Sequence, residues 1–194
     1  VNDTFNMVSV DGDTSTNDMV SILASGLAGN KEIKDDIGDY EVFQSALFTV
    51  MRELSRMIAK DGEGATKLIE CNVKGAADTA SAKTIAKSVI NSSLLKAAMF
   101  GADANWGRVL CAIGYSGAKA DIAGTNVAFR SQKGSIDVCK NGAGILFDED
   151  KAKEILLEPE VKIDISLSDG SGTATAWGCD LTYDYVRING DYRS

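Results

Sequence analysis

The chain has 194 residues, 44% of them hydrophobic and 25% charged, a balance that suits a folded soluble domain and is too apolar for a disordered chain. Twenty Lys and Arg against 28 Asp and Glu leave a formal charge of −8, a field that repels phosphate backbones and anionic lipid, so neither nucleic acid nor a membrane is expected as a partner. The sequence contains no histidine, which excludes Ser-His-Asp triads, Cys-His pairs and histidine metal sites and leaves carboxylates, amines, amides and hydroxyls, or groups supplied from outside.

The opening Thr4 to Val10 alternates as a strand and runs into the polar loop Asp11-Gly12-Asp13-Thr14-Ser15-Thr16-Asn17-Asp18. A second apolar stretch, Met19 to Ala24, suits a strand closed by Ser25-Gly26. Neither the basic region nor the apolar core of a signal peptide occurs at Val1-Asn2-Asp3-Thr4, and no apolar run nears the roughly 18 residues of a membrane span, so a cytoplasmic protein is expected. From Tyr40 to Lys60, apolar residues at Val42, Phe43, Leu47, Val50, Met51, Leu54, Met57 and Ile58 follow helical spacing, an apolar stripe expected to lie against a sheet.

Lys67 to Val73 alternates as a strand, Asp78 or Thr79 is placed to cap a helix over about 80–91, and another short helix is expected within 104–116, starting near Asn105-Trp106-Gly107-Arg108. Strands are expected at 125–130, 135–140 and 145–148, then a charged helix at 149–157. Two further strands, 162–168 and 173–181, flank Asp169-Gly170-Ser171-Gly172, a hairpin signal, and Tyr183 to Asn189 alternates as a last strand. Without a regular βαβ rhythm, the pattern indicates an α+β fold, a layered sandwich with mixed sheets. No repeat, low-complexity tract or linker divides residues 1–194, which read as one domain with open edges that need partners.

Cys71, Cys111, Cys139 and Cys179 form no C-x-x-C pair and read as buried reduced thiols. Asp11-x-Asp13-x-Ser15 begins like a calcium loop, but Thr16 and Ile22 stand where an EF-hand needs Gly and Glu. Such a loop is more often a self-bonded turn. In Asp61-Gly62-Glu63-Gly64-Ala65-Thr66-Lys67 a carboxylate stands between two glycines that allow close ligand approach, so Glu63 is a candidate contact; a helix end and surface turn explains the segment equally well. Trp106 reads as a core or interface filler. Asn189 through Ser194 packs donors and acceptors more densely than a solubilising tail does.

Four segments taken together, Thr4-Phe5-Asn6 running into Val10 through Asp18, then Asp61 through Lys67, then Asp103 through Arg108, then Asp184-Tyr185-Val186 through Tyr192-Arg193-Ser194, resemble the glutamate/ornithine N-acetyltransferase family over essentially the whole chain. The resemblance implies a precursor that cuts itself before a threonine, giving an α chain and a β chain in an α2β2 assembly. It implies a cofactor-free exchange in which an acetyl group passes from N-acetylornithine to that threonine and then to glutamate, with acetyl-CoA a donor for some members. A terminal threonine can use its own amine, with an unperturbed pKa of about 7.7–8.0, as general base, so no histidine is needed. The family's threonine precedes the segment that begins here at Val1, so no catalytic residue is expected in this chain, which reads as the C-terminal part of the β chain. The oxyanion hole and a substrate-binding lysine would lie on the α chain. Glu63, Asn189 and Ser194 match the family's substrate contacts, with Glu63 suited to an ammonium and the other two to an amino-acid carboxylate. The rival readings are a noncatalytic structural or regulatory domain and a metal-dependent hydrolase using Asp11, Asp13 and Asp18.

Overall fold

Val and Ile at alternate positions of three segments build the centre of the molecule. The computed structural model of the chain describes residues 1–34 and 38–192, and within them strands β1 (Leu68–Ala76), β2 (Asn126–Ser131), β3 (Gly134–Lys140), β4 (Ala143–Gly144), β5 (Glu160–Ser166) and β6 (Gly172–Cys179) form one sheet in the order β4-β3-β2-β5-β1-β6. The pair β1–β5 is parallel and every other pair antiparallel, so the sheet is mixed, as the α+β reading required.

The register gives the two faces opposite chemistry, because a strand's side chains alternate sides. Ile69, Cys71 and Val73 stand opposite Val161, Ile163 and Ile165, and β2 extends the row with Val127 and Phe129. This apolar face is buried under helices α2 (Thr79–Asn91), α4 (Trp106–Gly114) and α5 (Glu149–Leu156), which supply Ile85, Val89, Ile113, Ile155 and Leu156 to the core. Asp78 caps α2 by accepting from the Ser81 amide, and Asn105 and Asp148 do the same for α4 and α5.

On the opposite face the same strands carry Glu70, Asn72, Lys162, Asp164, Arg130, Thr175 and Trp177. Glu70 accepts from Arg56, from Lys162 at 2.7 Å and from the Trp177 indole at 3.2 Å, while Asp164 accepts from Arg130 at 2.8 Å and from Asn72 at 2.9 Å. Arg56 belongs to α1 (Asp39–Lys60), which crosses this polar layer.

Several sequence expectations are corrected. Residues 4–10 hold a single 3₁₀ turn, Phe5–Met7, and one bridge from Val8 to Trp177, because Met7 turns inward and is buried. Met19 to Ala24 is not a strand; it pairs with nothing among the described residues, and Leu23 is 98% exposed. The stripe on α1 does not meet the sheet. Small Ser55 and Ala59 make that contact and let the helix approach closely, while Phe43, Val50, Leu54, Met57 and Ile58 point away.

An additional helix, α3 (Ser93–Phe100), follows α2 directly, separated by Ser92, whose side chain accepts from Leu95. The expected strand at 145–148 is displaced to the two-residue β4, where a Cβ on Gly144 would strike the Trp106 ring. Residues 169–172 are not a hairpin. β1 lies between β5 and β6, so the connector crosses its end, with Asp169 and Gly170 amides both bonded to the Gly75 carbonyl. Tyr183–Asp191 is helix α6 rather than a strand, because the Thr182 hydroxyl caps it by accepting from the Tyr185 amide. Of the four cysteines, Cys71, Cys139 and Cys179 are buried and Cys111 is exposed.

Burial pushes the Glu70 carboxyl up, but Lys162, the Trp177 indole and Asn72 outweigh it and hold the group below the usual carboxylate range. The stabilisation from a depressed carboxyl is fully present above the unfolded value of about 4.3 and is lost as pH falls through the lower folded value. Glu70→Gln is therefore expected to cost about 1.5–3 kcal/mol at pH 7, with the gap to wild type shrinking below about pH 4. Urea midpoints of the two proteins across that range check this, and a gap independent of pH contradicts it.

Candidate functional site

The turn that carries Glu63 is held from below by one carboxylate. Asp180, 3% exposed at the end of β6, accepts from the Thr66 amide at 2.8 Å, the Lys67 amide at 2.9 Å and the Thr66 hydroxyl. Two residues on, Thr182 donates its hydroxyl to the Gly64 carbonyl at 2.7 Å and caps α6 with the same oxygen. The turn and the helix are thus tied to one short segment, Asp180-Leu181-Thr182.

That segment rests on α3. The buried Lys96 ammonium donates to the Cys179 carbonyl, and the Leu181 amide donates to the Lys96 carbonyl at 3.2 Å. Lys67 reaches back to the C-terminal end of α3, donating to the Met99 carbonyl at 2.5 Å, where helix carbonyls lack internal partners. Burial lowers the pKa of both lysines; nearby Asp180 opposes the effect at Lys67, and Cys179, Asp180 and Asp11 oppose it at Lys96.

Above this base, Glu63 and Asn189 meet. The Asn189 amide donates to Glu63 Oε2 at 2.6 Å and to the Tyr185 carbonyl at 3.1 Å, which occupies its Nδ2 and leaves Oδ1 beside the carboxylate. Both side chains are exposed. The outward-facing acceptors suit an ammonium group. Ser194 lies outside the described residues.

The first-motif loop joins the same corner. Tyr185, four residues before Asn189 on α6, donates its phenol to Asp11 Oδ2 at 2.9 Å, and Asp11 Oδ1 accepts from the Asp13 amide at 2.9 Å. Burial and the neighbouring carboxylates, Asp11 foremost, push the phenol up to about 12. The metal-hydrolase reading loses its geometry here: Asp11 is engaged by Tyr185 and Asp13, and among the described residues no three His, Cys, Asp or Glu side chains converge to hold a metal. Asp103 through Arg108 lies elsewhere, at the start of α4, where Trp106 is half-buried against Gly144.

Sequence reasoning singled out Glu63 and Asn189 and missed the groups that bring them together: Lys96, Asp180, Thr182 and Tyr185. The one available signal was Asp180-Leu181-Thr182 after a strand, a run of capping residues that announces a helix start.

The model of the ArgJ family matches residues 1–194. The chain belongs to the ArgJ family. It is 56% identical over all 194 residues to the arginine biosynthesis bifunctional protein ArgJ 1 of Clostridium acetobutylicum, and 51% identical to the corresponding ArgJ protein of Thermotoga neapolitana. It spans about half of each, 48% and 49%. A crystal structure of the arginine biosynthesis bifunctional protein ArgJ from Bacillus halodurans matches with a TM-score of 0.93 at 48% identity, over 98% of this chain and 88% of that one. Among the described residues, no helix is long and apolar enough to cross a membrane.

Gly64 is where the turn and α6 touch most closely. It has φ +65°, and a Cβ there would lie 2.7 Å from the Tyr185 nitrogen. Gly64→Ala is expected to cost at least about 1 kcal/mol from the left-handed conformation alone and to unseat α6. Urea denaturation and far-UV circular dichroism check it: wild-type midpoint and helix signal would contradict the contact.

Proposed function

We propose that this chain is the β-chain portion of an acyltransferase that moves an acetyl group from N-acetylornithine to glutamate through an acetyl-threonine, the threonine lying outside this chain. The observation that carries the reading is the family match along the full chain, with relatives named as bifunctional proteins of arginine biosynthesis. In this reading the enzyme is a glutamate N-acetyltransferase of the cytoplasm, cut autocatalytically and assembled with its α chain as α2β2. The companion amino-acid N-acetyltransferase activity, with acetyl-CoA as donor, belongs to the same proposal.

One physical feature supports a partner chain. The exposed apolar stripe of α1 and the adjoining Met19 and Val20 line a cavity of about 880 Å³ with Phe5, Leu54, Met57 and Ile58, an apolar surface of the kind that marks association. In this reading Glu63 takes the substrate ammonium and Ser194 the carboxylate; Asn189, expected at the carboxylate too, donates its Nδ2 to Glu63 and the Tyr185 carbonyl and so sides with the ammonium, all three serving orientation rather than proton transfer.

The two-chain protein, given N-acetylornithine and glutamate, is expected to release ornithine, and this chain alone to release none. Failure of the complete protein would favour the noncatalytic reading, and turnover by the isolated chain would contradict the assignment of the nucleophile. Glu63→Ala in the complete protein is expected to lower kcat/KM about tenfold or more, equivalent to about 1.4 kcal/mol of transition-state binding; unchanged steady-state kinetics would remove Glu63 from the site. The pair Leu54→Glu and Met57→Glu is expected to abolish co-purification with the α chain, since buried unpaired carboxylates are costly, and an intact complex would show that the stripe faces something else.

A further inference from the structure

α6 is an exposed helix with no buried residue, yet it carries Asn189 at a defined distance from Glu63. Thr182 fixes its start, and one turn further along, the half-buried Tyr185 makes its side-chain contact with the rest of the chain through Asp11. Tyr185 and Asn189 are four residues apart and so share one face of the helix. Through its carbonyl, Tyr185 also receives the Asn189 amide, so one residue contacts the loop with its phenol and steadies the site residue with its backbone.

The loop has few other anchors. Residues 11–34 are exposed throughout. Before Asp11, the chain is attached by the Ser9 amide to the Trp177 carbonyl at 3.0 Å and by the Cys179 thiol to the Val10 carbonyl at 3.9 Å. The Tyr185 bond is therefore the point where the first-motif loop is referred to the helix bearing Asn189.

We propose that Tyr185 is a positioning residue: its bond to Asp11 locks the first-motif loop and α6 together and so sets the Glu63–Asn189 pair for an amino-acid substrate bearing an ammonium group. The inference rests on the reading of Glu63 and Asn189 as substrate contacts. The phenol stays protonated, and therefore a donor, near neutral pH, because burial and the surrounding carboxylates oppose its ionisation.

Tyr185→Phe removes one hydroxyl and keeps the ring. In the complete two-chain protein it is expected to raise KM for N-acetylornithine five- to twentyfold with kcat within twofold of wild type and an unchanged melting temperature. Asp11→Ala is expected to act similarly, and the double variant to be no worse than the worse single one, because both remove the same bond. Additive losses, a fall in kcat and stability together, or wild-type KM would each overturn the proposal. A second arm needs no activity: thermolysin is expected to cut the Met19–Leu23 region of the Tyr185→Phe protein severalfold faster than wild type, and equal rates would overturn the lock. Absence of transfer by the wild-type protein would instead defeat the reading of the reaction, with the proteolysis arm still deciding the lock.

Discussion

One buried carboxylate organises the corner of the molecule that holds the candidate site. Asp180 sits where β6 ends and takes three hydrogen bonds from Thr66 and Lys67, a strong arrangement because an ionised acceptor in a protected setting binds amide donors more tightly than a neutral one does. It fixes the Glu63 turn against the end of the sheet, with the Thr182–Gly64 bond as a second tie. With it, the two glycines around Glu63 become useful: Gly64 adopts a left-handed conformation and admits the first turn of α6 at a distance no side chain would allow. Thr182 then sets the direction of α6, and Asn189 arrives against Glu63. Rigid sheet, clamped turn and capped helix form a chain of causes that ends in two exposed polar groups.

The remainder of the fold explains how that corner stays firm. The apolar sheet face is closed by α2, α4 and α5, while the polar face is a network of paired charges crossed by α1. Such a network contributes less than an equal area of apolar packing would, but each member left alone would be costly, so the layer holds together as a set. α1 completes it with Arg56 and turns its apolar stripe outward. One face of the sheet is thus closed by helices of this chain, and the stripe on α1 stays exposed among the described residues.

Much of this was legible in the residues. Periodicity located α1, α2, α4 and α5 and the strands β1, β2, β3, β5 and β6, because each has a face that is buried in this chain or patterned as if it were. What failed was of two kinds. Val186 and Ile188 in α6 alternate with polar residues as a strand would, but the segment packs on no sheet, so the Thr182 cap, a local hydrogen bond, decided its form. The stripe on α1 and the run Met19 to Ala24 are patterned but largely exposed among the described residues, so periodicity found apolar faces without a sheet of this chain to cover them. The 169–172 turn looked like a hairpin because nothing local reveals that a third strand lies between its neighbours. For the candidate site, Glu63 and Asn189 were proposed from the family resemblance, and their supports were not visible, since Lys96, Asp180 and Tyr185 act through contacts with residues distant in sequence.

The central claim is that Asp180 couples the Glu63 turn to α6. Amide hydrogen exchange on Asp180→Asn, measured by mass spectrometry in the assembled protein, tests it most directly. The account predicts that residues 61–67 and 183–191 lose protection together, while β1, β5 and the apolar core keep theirs. Protection unchanged in both segments, or lost in one alone, would contradict it.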